Sequence, residues 1–127
     1  MVPNDRKYTE SHEWVKLEEG LVIIGITEHA QKELGDITFV ELEEAGENKQ
    51  RGEECGEIES VKAASDFYAP ISGEIAEVNS ELEVKPQLVN QSPFEQGWLI
   101  KLKNFKQEEL DELMDAAGYE QMLKESE

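Results

Sequence analysis

Positive charge is scarce in this chain. Its 127 residues carry 12 lysines and arginines against 30 aspartates and glutamates, a formal net charge of -18. A surface this acidic repels nucleic acid and anionic membranes, and it favours partners with basic docking faces. Cysteine is nearly absent. Cys55 stands alone, so no intrachain disulfide is available, and a lone thiol fits a reducing compartment. Met1-Val2-Pro3-Asn4-Asp5 contains no apolar stretch of the kind a secretory leader needs, and no later run approaches a membrane span. A cytoplasmic setting is expected.

The usual catalytic signatures are missing as well. There is no Gly-x-Gly-x-x-Gly, no phosphate loop, no Gly-x-Ser-x-Gly and no spaced pair of cysteines or histidines. His12 and His29 are too few for a metal cluster, so no resident metal is expected, although the many carboxylates offer weak cation sites. Cys55 has no base beside it in sequence, which suits a packed thiol better than a nucleophile. The chain reads as a non-enzyme. Its apolar content of 38% is enough for one modest core, so residues 1–127 are expected to form a single domain.

What is present is short β-like runs separated by turn residues. His12 to Leu17 and Leu21 to Ile26 flank Glu18-Glu19-Gly20, a connection suited to a hairpin. Thr27 is placed to cap a short helix carrying Ala30 and Leu34 on one face, with Gly35 as its stop. Strands are predicted over Ile37 to Leu42, Glu54 to Val61, Phe67 to Ala69, Ile71 to Val78 and Trp98 to Leu102. The last should point Trp98, Ile100 and Leu102 inward, and Gly73 should mark a close backbone approach. Glu43 to Arg51 reads as loop. So does most of Asn79 to Pro93, with a short β-bridge expected at Leu88-Val89. Asn104 and Gln107 match a capping box, followed by an amphipathic helix through Leu110, Leu113, Met114 and Ala117 that Gly118 interrupts.

Lys62 is the residue that this pattern singles out. Most other lysines lie in polar or acid-rich stretches, whereas Lys62 is flanked by Val61, Ala63, Ala64 and Ser65 at a turn between two strands. Gly35-Asp36-Ile37-Thr38-Phe39-Val40 is echoed by Gly73-Glu74-Ile75-Ala76-Glu77-Val78, and Lys62 falls between the two units. Two such units bury their apolar faces most economically by stacking about a quasi-twofold axis. A stiff turn then presents one amine to a modifying enzyme. Acylation removes its charge and turns the side chain into a tether, whose benefit is effective concentration at each docking site.

Ser11-His12-Glu13-Trp14-Val15, Gly35-Asp36-Ile37, Glu59-Ser60-Val61-Lys62-Ala63, Pro70-Ile71-Ser72-Gly73-Glu74, Leu88-Val89-Asn90 and Gly97-Trp98-Leu99-Ile100 occur in that order. Together they resemble the H proteins of the glycine cleavage system, nearly end to end. The resemblance implies a mainly β, barrel-sandwich hybrid of the biotinyl/lipoyl-carrier kind with an N-terminal hairpin, a short helix and a C-terminal helix. The core would span about 20–103 and the helical segment about 105–124. It implies lipoate in amide linkage on Lys62, and an arm that folds back to a cleft at Ser11, Glu13 and His29.

The implied partners are a pyridoxal-phosphate-dependent glycine decarboxylase (P protein), an aminomethyltransferase (T protein), dihydrolipoamide dehydrogenase (L protein) and a lipoate ligase or lipoyltransferase. Two competing readings remain open: a lipoyl-relay or regulatory adaptor outside glycine cleavage, and a purely structural acidic β-protein. A biotinyl domain is disfavoured, since it would carry Met-Lys-Met where Val61 and Ala63 stand. Glu43 occupies a position where the family commonly has proline, which predicts a looser loop after that strand.

Overall fold

Glu19 and Gly20 both adopt positive φ, +53° and +82°. This is the handedness that lets a two-residue turn follow the twist of its flanking strands. It joins β2 (Glu13–Glu18) to β3 (Leu21–Ile26), paired antiparallel from Glu18↔Leu21 to Glu13↔Ile26. β1 (Lys7–Tyr8) extends this hairpin on one side. Thr27 ends β3 and caps α1 (Glu28–Leu34), its hydroxyl accepting from the Ala30 N–H. Gly35 closes α1 at φ +83°. The computed structural model describes residues 2–126, and among these no helix is long and apolar enough to cross a membrane.

β4 (Ile37–Leu42), β5 (Asn48–Lys49), β6 (Glu54–Ser60), β7 (Ala64–Tyr68), β8 (Gly73–Val78) and β9 (Ile100–Lys103) complete two antiparallel sheets. The larger runs β1-β2-β3-β9-β8-β5 and the smaller β4-β6-β7. Between them lies the core, with Val22, Ile24, Ile75, Ile100 and Leu102 from one sheet facing Val40, Ile58 and Phe67 from the other. Each such side chain stabilises the fold by about 1.5–3 kcal/mol through burial. The echoed segments contain corresponding strands of the two sheets: β4 pairs with β6, and β8 pairs with β9. Close packing at Gly73 is as expected, since a Cβ there would lie 3.1 Å from the Lys103 carbonyl oxygen. This is the two-sheet, hairpin-and-helix architecture of the biotinyl/lipoyl-carrier kind.

The segment from Asn79 to Pro93 departs from the expectation. Leu88-Val89 forms no β-bridge; two one-turn helices, α2 (Glu81–Val84) and α3 (Leu88–Gln91), occupy this stretch. Burial of Leu82, Leu88 and Val89 drives their formation. The Asn79 side chain anchors the first by accepting from the Glu81 N–H and donating to the carbonyls of Gln96 and Trp98. Trp98 also differs: Leu99, Ile100 and Leu102 are fully buried, while Trp98 is half-buried beside a second cluster of Tyr8, Trp14, Ala116 and Tyr119. There its ring lies 4.8 Å from the Lys101 ammonium.

The C-terminal helix divides into α4 (Gln107–Asp111) and α5 (Ala116–Glu125). Asn104 is no cap: it turns the chain out of β9 at φ +53°, and α4 starts after Lys106 without a side-chain cap. Met114 leaves helical geometry because its N–H and C=O both bond the backbone of Tyr8. Asp115 then caps α5 through the Gly118 N–H at 2.8 Å, so Gly118 lies inside a helix instead of interrupting one, and Ala117 is exposed.

The loop after β4 is tied rather than loose. The Glu43 N–H donates to the Cys55 carbonyl at 3.0 Å, a bond proline lacks the hydrogen to make. Its carboxylate accepts from the mostly buried Lys49 ammonium at 2.5 Å, within the stretch that holds β5.

Candidate functional site

Lys62 projects from the hairpin between β6 and β7, whose last paired residues are Glu59 and Ala64. The turn is closed by Ser60 N–H donating to the Ala63 carbonyl at 2.8 Å. Ser60 Oγ accepts from the N–H groups of Lys62 at 3.2 Å and Ala63 at 3.1 Å. The Val61 N–H donates to the Asp36 carbonyl at 3.0 Å, which ties the turn to the segment entering β4. Every amide of the turn is therefore engaged, and the loop is stiff. Lys62 itself is exposed, as are Val61, Ala63 and Ala64. Its side chain rests on Gly35, where an added Cβ would come within 2.9 Å of Cε. The amine thus lies at the C-terminal end of α1, the negative pole of a helix.

A cleft of about 320 Å³ opens beside this hairpin. Ile26, Ile58 and Phe67 give it a buried apolar floor, α1 contributes Ala30 and Leu34, and the N-terminal segment contributes Ser11 and Glu13. Leu34 immediately precedes the glycine on which Lys62 rests. Phe67 and Tyr68 divide between two roles, because successive strand residues point to opposite faces. Phe67 is core, whereas Tyr68 is exposed, lines the cleft and bonds Asp66.

Glu13 is the most unusual group here. It is only 6% exposed, and its Oε1 accepts from the hydroxyls of Thr9 at 2.6 Å and Ser11 at 2.7 Å. Burial pushes its carboxyl above the ordinary glutamate value, and the two hydroxyl donors oppose that push. Thr9 was not anticipated, although the alternation Thr9-x-Ser11-x-Glu13 carries the signal. His29 stands on α1 with its ring 4.5 Å from that of His12, and its Nε2 contacts Glu33 at 2.5 Å. His12, not His29, lines the cleft. The structure thus brings Ser11 and Glu13 together and sets His29 behind His12. Cys55 is fully buried and its thiol is pushed up to about 12 by desolvation, which leaves it inert as a nucleophile.

An exposed lysine on a rigid hairpin, beside a cleft lined by a buried carboxylate, suits a swinging-arm carrier. The relatives agree. A glycine cleavage system H protein of Pectobacterium atrosepticum is 53% identical over 127 residues, covering 99% of this chain and 98% of the relative. One from Thermus thermophilus is 52% identical, covering 96% and 95%. The crystal structure of a glycine cleavage system H protein from Mycobacterium marinum superposes with a TM-score of 0.88 at 38% identity, covering 97% of this chain and 99% of that one. Residues 6–126 match the family described as Glycine cleavage H-protein, and with coverage so complete the chain belongs to that family.

Proposed function

We propose that the protein is the lipoylated carrier of the glycine cleavage system, with Lys62 as the attachment residue. It is a carrier and not an enzyme. The observation that supports this reading above others is the exposed Lys62 amine on a turn whose N–H groups are all engaged, next to the cleft that Glu13 lines. Lipoate fits these residues: the ammonium is open to acylation, and the apolar floor of Ile58 and Phe67 matches a hydrocarbon chain with a dithiolane. Bound there, the group supplies the dithiolane chemistry of aminomethyl and electron transfer.

The chain's own residues do the rest. Ser60 holds the turn so that Lys62 points outward, and exposed Val61, Phe39 and Tyr68 offer apolar contact to a docking enzyme. Glu13 and Ser11 receive the cationic end of a loaded arm, where a charge-assisted hydrogen bond is stronger than a neutral one. The apolar walls keep water from the carried group. The partners on this reading are the glycine decarboxylase, the aminomethyltransferase, dihydrolipoamide dehydrogenase and the lipoate ligase or lipoyltransferase, in the cytoplasm. A buried carboxylate poised for a cation favours this carrier over a lipoyl relay, which has no cationic load to hold.

Incubation with lipoate ligase, ATP and lipoate is expected to add one lipoyl mass increment, absent in Lys62→Ala. The lipoylated protein is then expected to stimulate glycine–bicarbonate exchange by a cognate decarboxylase. Lipoylation without stimulation overturns the glycine reading and leaves the relay.

A further inference from the structure

Two histidines alone are too few to hold a metal, but folding supplies the missing partner. His12, His29 and Glu33 each present one ligating atom, and these atoms lie within 4.8 Å of one another. His29 and Glu33 stand four residues apart on α1, so they share one face, and their Nε2 and Oε1 already touch at 2.5 Å. We propose that His12, His29 and Glu33 form a binding site for a divalent transition metal.

Two features support the assignment. His12 is preorganised: it holds a left-handed backbone at φ +71°, its N–H donates to the Thr9 carbonyl, and its carbonyl accepts from the Thr27 N–H. A left-handed backbone is uncommon for a residue with a side chain and is often kept for function. Its Nδ1 lies 2.7 Å from the Tyr119 hydroxyl, which in turn lies 2.7 Å from Thr27 Oγ1. That contact orients the ring and leaves Nε2 as the nitrogen free to bind, the outer arrangement that ligating imidazoles usually have.

The geometry is within reach. Tetrahedral nitrogen and oxygen ligands about zinc lie about 3.3 Å apart. The side chains of His29 and Glu33 are 39% and 66% exposed, so their heads are free to close the remaining distance. Two imidazoles and a carboxylate select zinc, cobalt, nickel or copper over magnesium or calcium. Three protein ligands leave a coordination position open. Because His12 and Glu33 also line the cleft, the bound cation sits in its wall. The site consists of the chain's own side chains and does not depend on acylation of Lys62.

The test uses the full-length, untagged, unlipoylated protein, so its outcome is separate from that of the carrier reading. Cobalt(II) is titrated in the presence of excess magnesium, which occupies generic carboxylate sites. The proposal expects one equivalent bound with visible ligand-field absorption, displaced by zinc, and joint perturbation of the His12 and His29 ring nitrogens by NMR. His29→Gln and Glu33→Gln, on exposed side chains, are expected to weaken binding at least about tenfold. His12→Asn tolerates the left-handed backbone and is expected to do the same with the circular dichroism spectrum unchanged. Several weak, equivalent sites that magnesium removes, or one site indifferent to all three substitutions, would overturn the assignment.

Discussion

Gly35→Ala tests the link between the end of α1 and the presentation of Lys62. Gly35 sits at φ +83° and ψ -161°, a region essentially reserved for glycine, where an L-residue with a Cβ costs about 1–3 kcal/mol. The backbone has no way to relax. Gly35 N–H donates to the Gln31 carbonyl at 2.9 Å, and its own carbonyl accepts from Asn90 Nδ2, also at 2.9 Å. Asn90 Oδ1 meanwhile accepts from the Ile37 N–H at the head of β4. Turning Gly35 to negative φ would break bonds on both sides, so the full penalty is expected. For a chain of this length each kcal/mol shifts the melting temperature by about 4 °C, which gives a loss of about 4–12 °C by calorimetry.

Gly20→Ala is the control. Its φ is +82° with nothing near an added Cβ, so it should lose stability through its backbone alone and leave Lys62 untouched. Only the Gly35 variant places a methyl 2.9 Å from Lys62 Cε, and the flexible end of the lysine swings aside at little cost. The Lys62 13Cε resonance should therefore move in Gly35→Ala and stay in Gly20→Ala. A melting temperature for Gly35→Ala within about 1 °C of the parent would refute the argument. So would an unmoved resonance.

Burial raises the Glu13 pKa above its ordinary 4.5, so folding favours the protonated carboxyl. That contribution is complete below the ordinary value and disappears as pH rises through the folded one. Urea midpoints of Glu13→Gln are thus expected to equal or exceed the parent at pH 7 and to lose this acid-side gain; a parent that weakens on entering the window from above contradicts it. In lipoylated protein charged with the aminomethyl group, the same variant should shed formaldehyde about tenfold faster or more, the loss of a charge-assisted hydrogen bond of about 1.5–3 kcal/mol. An unchanged rate removes Glu13 from the holding role. Cys55, fully buried with its thiol pushed up to about 12, should resist Ellman's reagent until guanidinium unfolds the chain, and fast labelling of native protein would show otherwise.

Local rules carried much of the architecture. The strands were legible because their apolar residues alternate between turn signals, and α1 because Thr27 and Gly35 mark its ends in ways that depend only on neighbouring backbone. Long-range contacts defeated the rest. Whether Leu88-Val89 is strand or helix is decided by Asn79 reaching Gln96 and Trp98, and by a core that Leu82 must fill. The C-terminal helix broke where Met114 found Tyr8, at the far end of the sequence. At the site, Lys62 stood out by its small neighbours. Thr9 and the grouping of His12 with Glu33 did not, because sequence spacing says nothing about which segments a fold brings together. Glu43 was misread for a related reason: an absent ring was weighed without the hydrogen bond that its N–H gains.

Ser60 has a consequence for the proposed acylation of Lys62. Its hydroxyl oxygen accepts from the N–H groups of Lys62 and Ala63, on either side of the Lys62 Cα, and the Asp36 carbonyl accepts from that of Val61. An acylating enzyme therefore meets a turn with no main-chain donor left to grasp. Discrimination has to run through shape, apolar flanks and the acidic field around the amine. Selectivity for one lysine among many is then a property of the folded hairpin, and a short peptide of the same residues should make a poor substrate.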